Sequence, residues 1–310
     1  MAKYGIIYMG SKNDLAERIL SALPPAENFY DLFGGGFSVT HCALMHFSNK
    51  WTNFYFNEIN SGLIDLIKKA IDGHFNYDRF KPKWVTRDEF HRLKSIDPYI
   101  SICWSFGNSM CNYLYGADIE DYKRSMHQAI VFNEFNETAK SVLGIDKFYF
   151  ENISDRRAAV ARIIKNTKNN AHLNKLKQLH HVRSLIQIQH LERLERIQKL
   201  SNIQSQKHKV TFSSLSYDQV TIKPNSIIYC DPPYINTEWY KIAFDHKKFY
   251  EWVYYNPHPV FFSEYQAPKQ FKTAYIFTHM AKFSPDAGKP RIFEKLFCND
   301  VGYNLLKSIT

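Results

Sequence analysis

Residues Asn28–Gly36 read NFYDLFGGG, and residues Asn53–Glu58 read NFYFNE. The first is a short apolar run that stops at an acid and opens into three glycines, the signature of a buried strand entering a tight turn. Phe37–Phe47 then reads as a helix, Asn53–Asn57 as a second aromatic strand ending at Glu58, and Asn60–Ile71 as an apolar-periodic helix closed by Gly73. Strand, glycine turn, helix, strand and helix in that order predict a parallel sheet with helices on its faces, an α/β fold.

Working outward, the segment before this unit predicts a helix. Ser11 and Asp14 stand at capping-box spacing, Leu15, Ile19 and Leu23 share one face, and Pro24-Pro25 stops it. Downstream, sheet signals resume late in the chain. Lys209–Ser213, Ser226–Cys230, Pro259–Ser263, Lys272–Phe277 and Arg291–Phe297 read as strands and His246–Tyr255 as a helix. One α/β domain is therefore expected from both ends of the chain, residues 1–73 and 207–310, with residues 74–206 inserted. The insertion lacks the βαβ rhythm, and its first half, His74 to about Tyr122, is rich in aromatic and polar residues. From Leu173 to Ile203 an apolar residue recurs at every third position, including Leu191, Leu194, Ile197 and Leu200, inside a triplet-repeat segment of residues 173–205. Leu, Glu, Arg, Gln and Lys dominate, and neither Gly nor Pro occurs from Arg157 to Gln206, which favours a helix. A period of 3.0 drifts around an α-helix, so a solenoid-like extended repeat is the alternative.

Composition narrows the function. The 310 residues carry 40 Lys+Arg against 30 Asp+Glu, a formal charge of +10. Residues Arg156–Lys209 contribute 13 basic and two acidic residues, +11, so the remainder carries −1. A near-neutral body with one basic segment points to a polyanion such as nucleic acid. Arg193, Arg196 and Lys199 are the expected phosphate contacts, and His74–Tyr122 the expected base-reading part. Cys42, Cys103, Cys111, Cys230 and Cys298 form no C-x-x-C pair, and the 13 histidines no H-E-x-x-H, so neither a disulfide framework nor a metal is expected. No apolar run reaches the roughly 18 residues of a membrane span. With a mean hydropathy of −0.41 and too short an apolar stretch in MAKYGIIYMGSK for a signal peptide, a cytoplasmic protein is expected.

Three places carry chemistry. Asp31 and Gly34-Gly35-Gly36 lie where a first parallel strand ends, the side on which open α/β sheets bind ligands. The glycines admit a close approach of backbone to ligand, and Asp31 offers a carboxylate to a cationic group. A turn with no ligand is the alternative for this motif alone. Glu58, at the end of the second strand, suits the two hydroxyls of a ribose or, alternatively, a helix cap. Asp231-Pro232-Pro233-Tyr234 follows the apolar run Ile227–Cys230. Pro-Pro cannot continue a central strand, so it fixes a rigid turn that aims a carboxylate, backbone carbonyls and an aromatic face at one spot. That set suits a planar amino group such as that of adenine.

Asp31–Gly36, Asp231–Tyr234 and the preceding Tyr8-Met9-Gly10-Ser11-Lys12 resemble, in this order, the three hallmark motifs of the Dam-type DNA adenine methyltransferases in their alpha arrangement. The resemblance covers about residues 1–72 and 210–300. It includes Phe262-Ser263-Glu264-Tyr265 and Lys295-Leu296-Phe297, typical of phage and bacterial members. It implies a Rossmann-like class I sheet that uses S-adenosylmethionine, a largely helical inserted target-recognition region, and duplex DNA as partner of a monomeric enzyme. By position it implies cofactor contacts from Tyr8, Gly10, Lys12, Glu58 and Asp231, with Asp31, Phe33, Gly34 and Gly35 near the methionine part. It implies catalysis by Asp231, Pro232, Pro233 and Tyr234. A phage or restriction-modification setting is also implied. The chain departs from the pattern at Ser216-Tyr217, where many members carry an acid before the tyrosine; here Asp218 follows instead. RNA adenine or guanine methylation, and DNA binding without catalysis, are the competing functions.

Overall fold

Residues Asn28–Asp31 form a four-residue strand, β1, buried along its whole length. A strand buried on both faces needs neighbours on both edges and helices above and below. On one edge β1 pairs in parallel with β2 (Asn53–Asn57), and on the other with β4 (Ser226–Cys230). The structure is a computed structural model that describes residues 4–108, 110–169, 187–234, 244–280 and 291–309. With β3 (Val210–Ser213), β5 (Val260–Glu264), β6 (Lys272–Met280) and β7 (Arg291–Cys298), the seven strands lie in the order β3-β2-β1-β4-β5-β7-β6.

The first five strands of this row are parallel, while β7 runs antiparallel to both β5 and β6. Chain order therefore runs outward in one direction from β1 and in the other from β4, so the reversal falls between these two adjacent strands. A crevice opens at the carboxyl ends of strands at such a point. Asp31 ends β1 and Asp231 follows β4, so the fold delivers both acids there. Successive side chains alternate between the two faces. On one face Tyr30, Ile228, Cys230 and Phe262 pack with Phe249 and Val253 of the helix His246–Tyr255.

Helix α1 (Ala16–Ala22) starts behind Leu15 with no side-chain cap, so Ser11 and Asp14 do not form the expected capping box. The Lys12 carbonyl accepts from Leu15 N (2.9 Å) and Ala16 N (2.8 Å), and this backbone turn starts the helix instead. Helices α2 (Ser38–His46) and α3 (Ser61–Ile71) follow the first two strands as expected. A last helix, Asp300–Ile309, escaped the sequence reading. Its cap is Asn299, whose Oδ1 accepts from Gly302 N (2.9 Å) while its amide donates to three carbonyls between Val253 and His258.

The chain divides into two units, Met1–Ile71 with Leu200–Thr310, and Asp72–Lys199. The second junction precedes the expected 206/207 because the end of the repeat belongs with the sheet, where Asn202 Oδ1 lies 3.1 Å from His41 Nε2 of α2. The inserted unit is largely helical. Thr86 and Glu89 form a complete capping box on Arg87–Leu93, and Asp97 caps Pro98–Cys103. Glu120–His127 runs on into a π-helical turn. The core of this unit is aromatic, with His190 stacked on Trp104 at 3.9 Å.

Of the triplet repeat, Leu173 to Leu185 lie outside the described residues. The rest is helical: an α-helix over Gln189–Gln198 continues as a 3₁₀ helix over Lys199–Lys209. With three residues per 3₁₀ turn, apolar residues three apart stack on one face. Leu191, Leu194, Ile197, Leu200 and Ile203 are all fully buried. Among the described residues Leu200 and Ile203 thus share a face of the 3₁₀ helix, while Leu191, Leu194 and Ile197 belong to the α-helical part.

Candidate active site

The Asp231–Tyr234 turn leaves β4 with Pro232 buried, and the Pro233 carbonyl accepts from His246 Nε2 at 2.8 Å. Asp231 keeps 17% of its side chain exposed, and its Oδ1 stands 2.8 Å from the Lys12 ammonium. Burial pushes the Asp231 carboxyl up to about 6 against the pull of Lys12, with Glu294 pushing the same way as burial. Burial alone would lower the Lys12 ammonium. Asp231 and Glu294 outweigh it and hold Lys12 above its ordinary value. The Lys12 Nζ also lies over the Tyr234 ring, 4.6 Å from its centroid, and 3.4 Å from the Gly10 carbonyl.

The glycine turn forms the neighbouring wall. Asp31 is 1% exposed and its Oδ2 accepts from Thr40 Oγ1 at 2.7 Å. Burial, and behind it the charges of Asp231 and Glu58, push Asp31 up to about 7. Gly35 has a left-handed φ of +48°, which suits glycine, and its N–H donates to Glu58 Oε2 at 2.9 Å. The other Glu58 oxygen accepts from Asn60 N (2.9 Å), and burial raises the Glu58 carboxyl. The missing Cβ atoms serve packing within the chain. A Cβ on Gly34 would fall 2.0 Å from the Phe56 ring, and one on Gly36 would fall 2.7 Å from Tyr8 Cβ. Tyr8 also lies against Gly35. Phe33 stacks on Tyr217 at 5.3 Å, so the departure at Ser216-Tyr217 borders this wall. Asp218 pairs with Lys248 at 2.5 Å.

The structure thus gathers Lys12, Asp231 and Tyr234 in one cluster and Gly35 and Glu58 in another, and the charges of Asp231 and Glu58 both raise Asp31. It also brings in residues the sequence reading missed. Glu294 of β7 accepts from the Tyr234 hydroxyl at 2.6 Å and lies 3.6 Å from Lys12 Nζ. Thr40 and Asn57 brace the glycine turn, the latter by donating to the Leu32 carbonyl at 3.1 Å. An acid inside the apolar run Arg291–Cys298 was the one legible signal for Glu294.

In the insertion, Arg193 does not face a duplex. It is 9% exposed, and its Nη1 donates to the Ile102 (2.8 Å) and Ser105 (2.5 Å) carbonyls. Satisfying those buried acceptors makes Arg193 part of the fold. Arg196 is half-buried and Lys199 is exposed.

Of the acids at this crevice, Asp231 pairs with Lys12, whereas Asp31 accepts from Thr40 and Glu58 accepts from the Gly35 and Asn60 N–H groups. Burial raises all three acids, and Asp231 and Glu58 raise Asp31 further, a setting that favours a ligand bringing positive charge and hydroxyl donors. S-adenosylmethionine, with its sulfonium, ammonium and ribose hydroxyls, fits that donor set. No group of metal-binding side chains occurs among the described residues, and no helix there is long and apolar enough to cross a membrane. Comparison with curated proteins gave no match. Residues 8–254 match the family model of the D12 class N6 adenine-specific DNA methyltransferases, and with that match over most of its length the chain belongs to this family.

Proposed function

We propose that the crevice between β1 and β4 binds S-adenosylmethionine and that Asp231–Tyr234 presents the amino group of a flipped adenine to it. When bound, the cofactor supplies a methyl group on a cationic sulfur. Glu58 takes the ribose hydroxyls, and Asp31 with the Phe33–Gly35 turn borders the methionine part. Tyr8, Gly10 and Lys12 close the N-terminal side. The adenine amino lone pair is delocalised into the ring and is a poor nucleophile. Asp231 and the Pro232 carbonyl accept its two N–H bonds and localise the lone pair. Catalysis is then positioning and electrostatics. The target nitrogen is inaccessible within a duplex, so the base leaves the stack, and the Tyr234 ring replaces part of the lost stacking.

The observation that carries this reading is the pairing of Asp231 with Lys12 at the end of β4, beside Asp31 at the end of β1. The acting species is the monomer on duplex DNA, with Arg196 and Lys199 as backbone contacts, in a phage or restriction-modification setting. Asp231→Ala tests the core of it. With labelled S-adenosylmethionine and unmodified genomic DNA, methylation should fall far more than tenfold while circular dichroism stays native. A loss below about tenfold, roughly 1.4 kcal/mol of barrier, would exclude Asp231 as the amino acceptor. Sequencing of modified adenines in cells expressing the chain gives the target site.

A further inference from the structure

Glu294 lies outside the span that matches the family and has no part in the mechanism above, yet it is 4% exposed inside the cluster that contains Asp231. It sits on β7 opposite Phe277 of β6, so a regular antiparallel ladder fixes its backbone. One oxygen, Oε1, serves two partners: the Tyr234 hydroxyl at 2.6 Å and Lys12 Nζ at 3.6 Å. Lys12 stands nearer to Asp231, at 2.8 Å, and over the Tyr234 ring. Two acids and a tyrosine thus share one ammonium, and the acid nearer to it is the one the reaction requires.

This has a chemical consequence. An amino group can donate to Asp231 only if Asp231 gives up part of its interaction with Lys12. With no second carboxylate, the displaced ammonium would keep only the Gly10 carbonyl and the Tyr234 ring, a buried cation without a counter-charge, which is costly. Glu294 is that second carboxylate, less than 1 Å further from the nitrogen than Asp231. Its bond to the Tyr234 hydroxyl, which Asp231 also engages, anchors the tip of the ring on which the base would lie.

We propose that Glu294 is a positioning residue of the methyl-transfer site, which orients the Tyr234 ring and takes over Lys12 when Asp231 engages the target amino group. The inference rests on the reading of Asp231–Tyr234 as the adenine site. Glu294 touches neither substrate nor cofactor in this role and acts through Tyr234 and Lys12.

The test compares Glu294→Gln, Glu294→Ala, Tyr234→Phe and the double variant Glu294→Ala/Tyr234→Phe in the full chain. Readouts are kcat, KM for DNA, and the fluorescence of 2-aminopurine placed at the target position of the mapped site. Glu294→Ala should lower kcat/KM about tenfold or more, the scale of a hydrogen bond to a charged group, and should dim the flipped-base signal. Glu294→Gln keeps an oxygen for the Tyr234 hydroxyl but not the charge facing Lys12. It should restore the flipped-base signal while kcat stays low, a split that loss of packing alone does not produce. In the Tyr234→Phe background, Glu294→Ala should cost less than in the wild type. Glu294→Ala within threefold of wild type, or losses that multiply independently with Tyr234→Phe, would overturn the proposal. If the alanine variant does not fold, Glu294→Gln decides alone, and unchanged kcat in it overturns the transfer of Lys12. Asp231→Ala is the control: an active Asp231→Ala enzyme refutes the site itself, whereas an inert one beside a normal Glu294→Ala refutes only the role of Glu294.

Discussion

Gly34→Ala should destabilise the protein and weaken its cofactor binding for one geometric reason. A Cβ at this position falls 2.0 Å from Phe56 Cε2, 2.5 Å from Cδ2 and 2.6 Å from Cζ. Carbon atoms in contact prefer about 3.5–4.0 Å, so either the ring or the turn must give way. Phe56 is fully buried, with Phe37 edge-on at 4.9 Å and Phe212 at 5.7 Å, so the ring has no free volume to enter. Overpacking of this kind costs about 1–3 kcal/mol, or a fall in Tm of about 2–12 °C for a domain of this class. The turn is the softer side. Displacing it strains the bond from Gly34 N to the Asn57 carbonyl (2.9 Å) and the one from Gly35 N to Glu58. Calorimetric affinity for S-adenosylmethionine should therefore drop along with Tm. Phe56→Leu supplies the control, because it removes the ring edge that the new methyl meets. In that background Gly34→Ala should cost at least about 1 kcal/mol less. Strictly additive losses, or a wild-type Tm for Gly34→Ala, would refute the packing argument and return the glycine to a ligand-facing role.

Glu58→Ala should raise the dissociation constants of S-adenosylmethionine and S-adenosylhomocysteine in parallel, by about 1.5–3 kcal/mol for the removal of a charged acceptor; unchanged calorimetric affinities would place Glu58 outside the pocket. Asp231 must be ionised to accept the amino N–H bonds, and burial pushes it up to about 6. The pH profile of kcat/KM should therefore be flat above pH 7 and fall about tenfold per unit well below pH 6; an acid limb near pH 4 would contradict this. Arg193→Ala leaves two buried carbonyls without their donor and should lower Tm, at about 1–3 kcal/mol. Arg196→Ala/Lys199→Ala should instead leave Tm nearly unchanged and flatten the salt dependence of DNA binding, by about 0.9 in log–log slope for each phosphate no longer neutralised. Similar Tm values for the two variants would undo that distinction.

The central sheet was legible because its strands are short apolar runs, buried throughout in β1, β4 and β5. Asn53–Asn57 and Ser226–Cys230 match their strands residue for residue, and His246–Tyr255 matches its helix. The insertion of β7 between β5 and β6 was not legible, since an isolated apolar run carries no sign of its partner or direction. Nor were the contacts of Glu294, whose partners Tyr234 and Lys12 lie far away in the chain. Arg193 was misread for a related reason. A charge count treats every arginine as solvated, whereas this one sits between the buried Leu191 and Leu194 and faces two carbonyls. The triplet period was seen, but not that a 3₁₀ stretch begins at Lys199 and stacks Leu200 and Ile203 on one face.

The pairing of β1 with β4 also dictates when an active site can exist during synthesis. Asn28 must wait for Ser226, and Glu294 comes later still. At about 5–20 residues per second, the interval between β1 and β4 leaving the ribosome is about 10–40 s. Throughout it, the aromatic edge of β1 has only β2 beside it, while residues 72–199 emerge as one continuous stretch. No nascent fragment that ends before Asp231 contains both walls of the crevice. A ribosome that stalls inside the insertion therefore releases an inert chain with an unpaired apolar strand, prone to aggregate and to be degraded, rather than a methyltransferase without its full target selectivity.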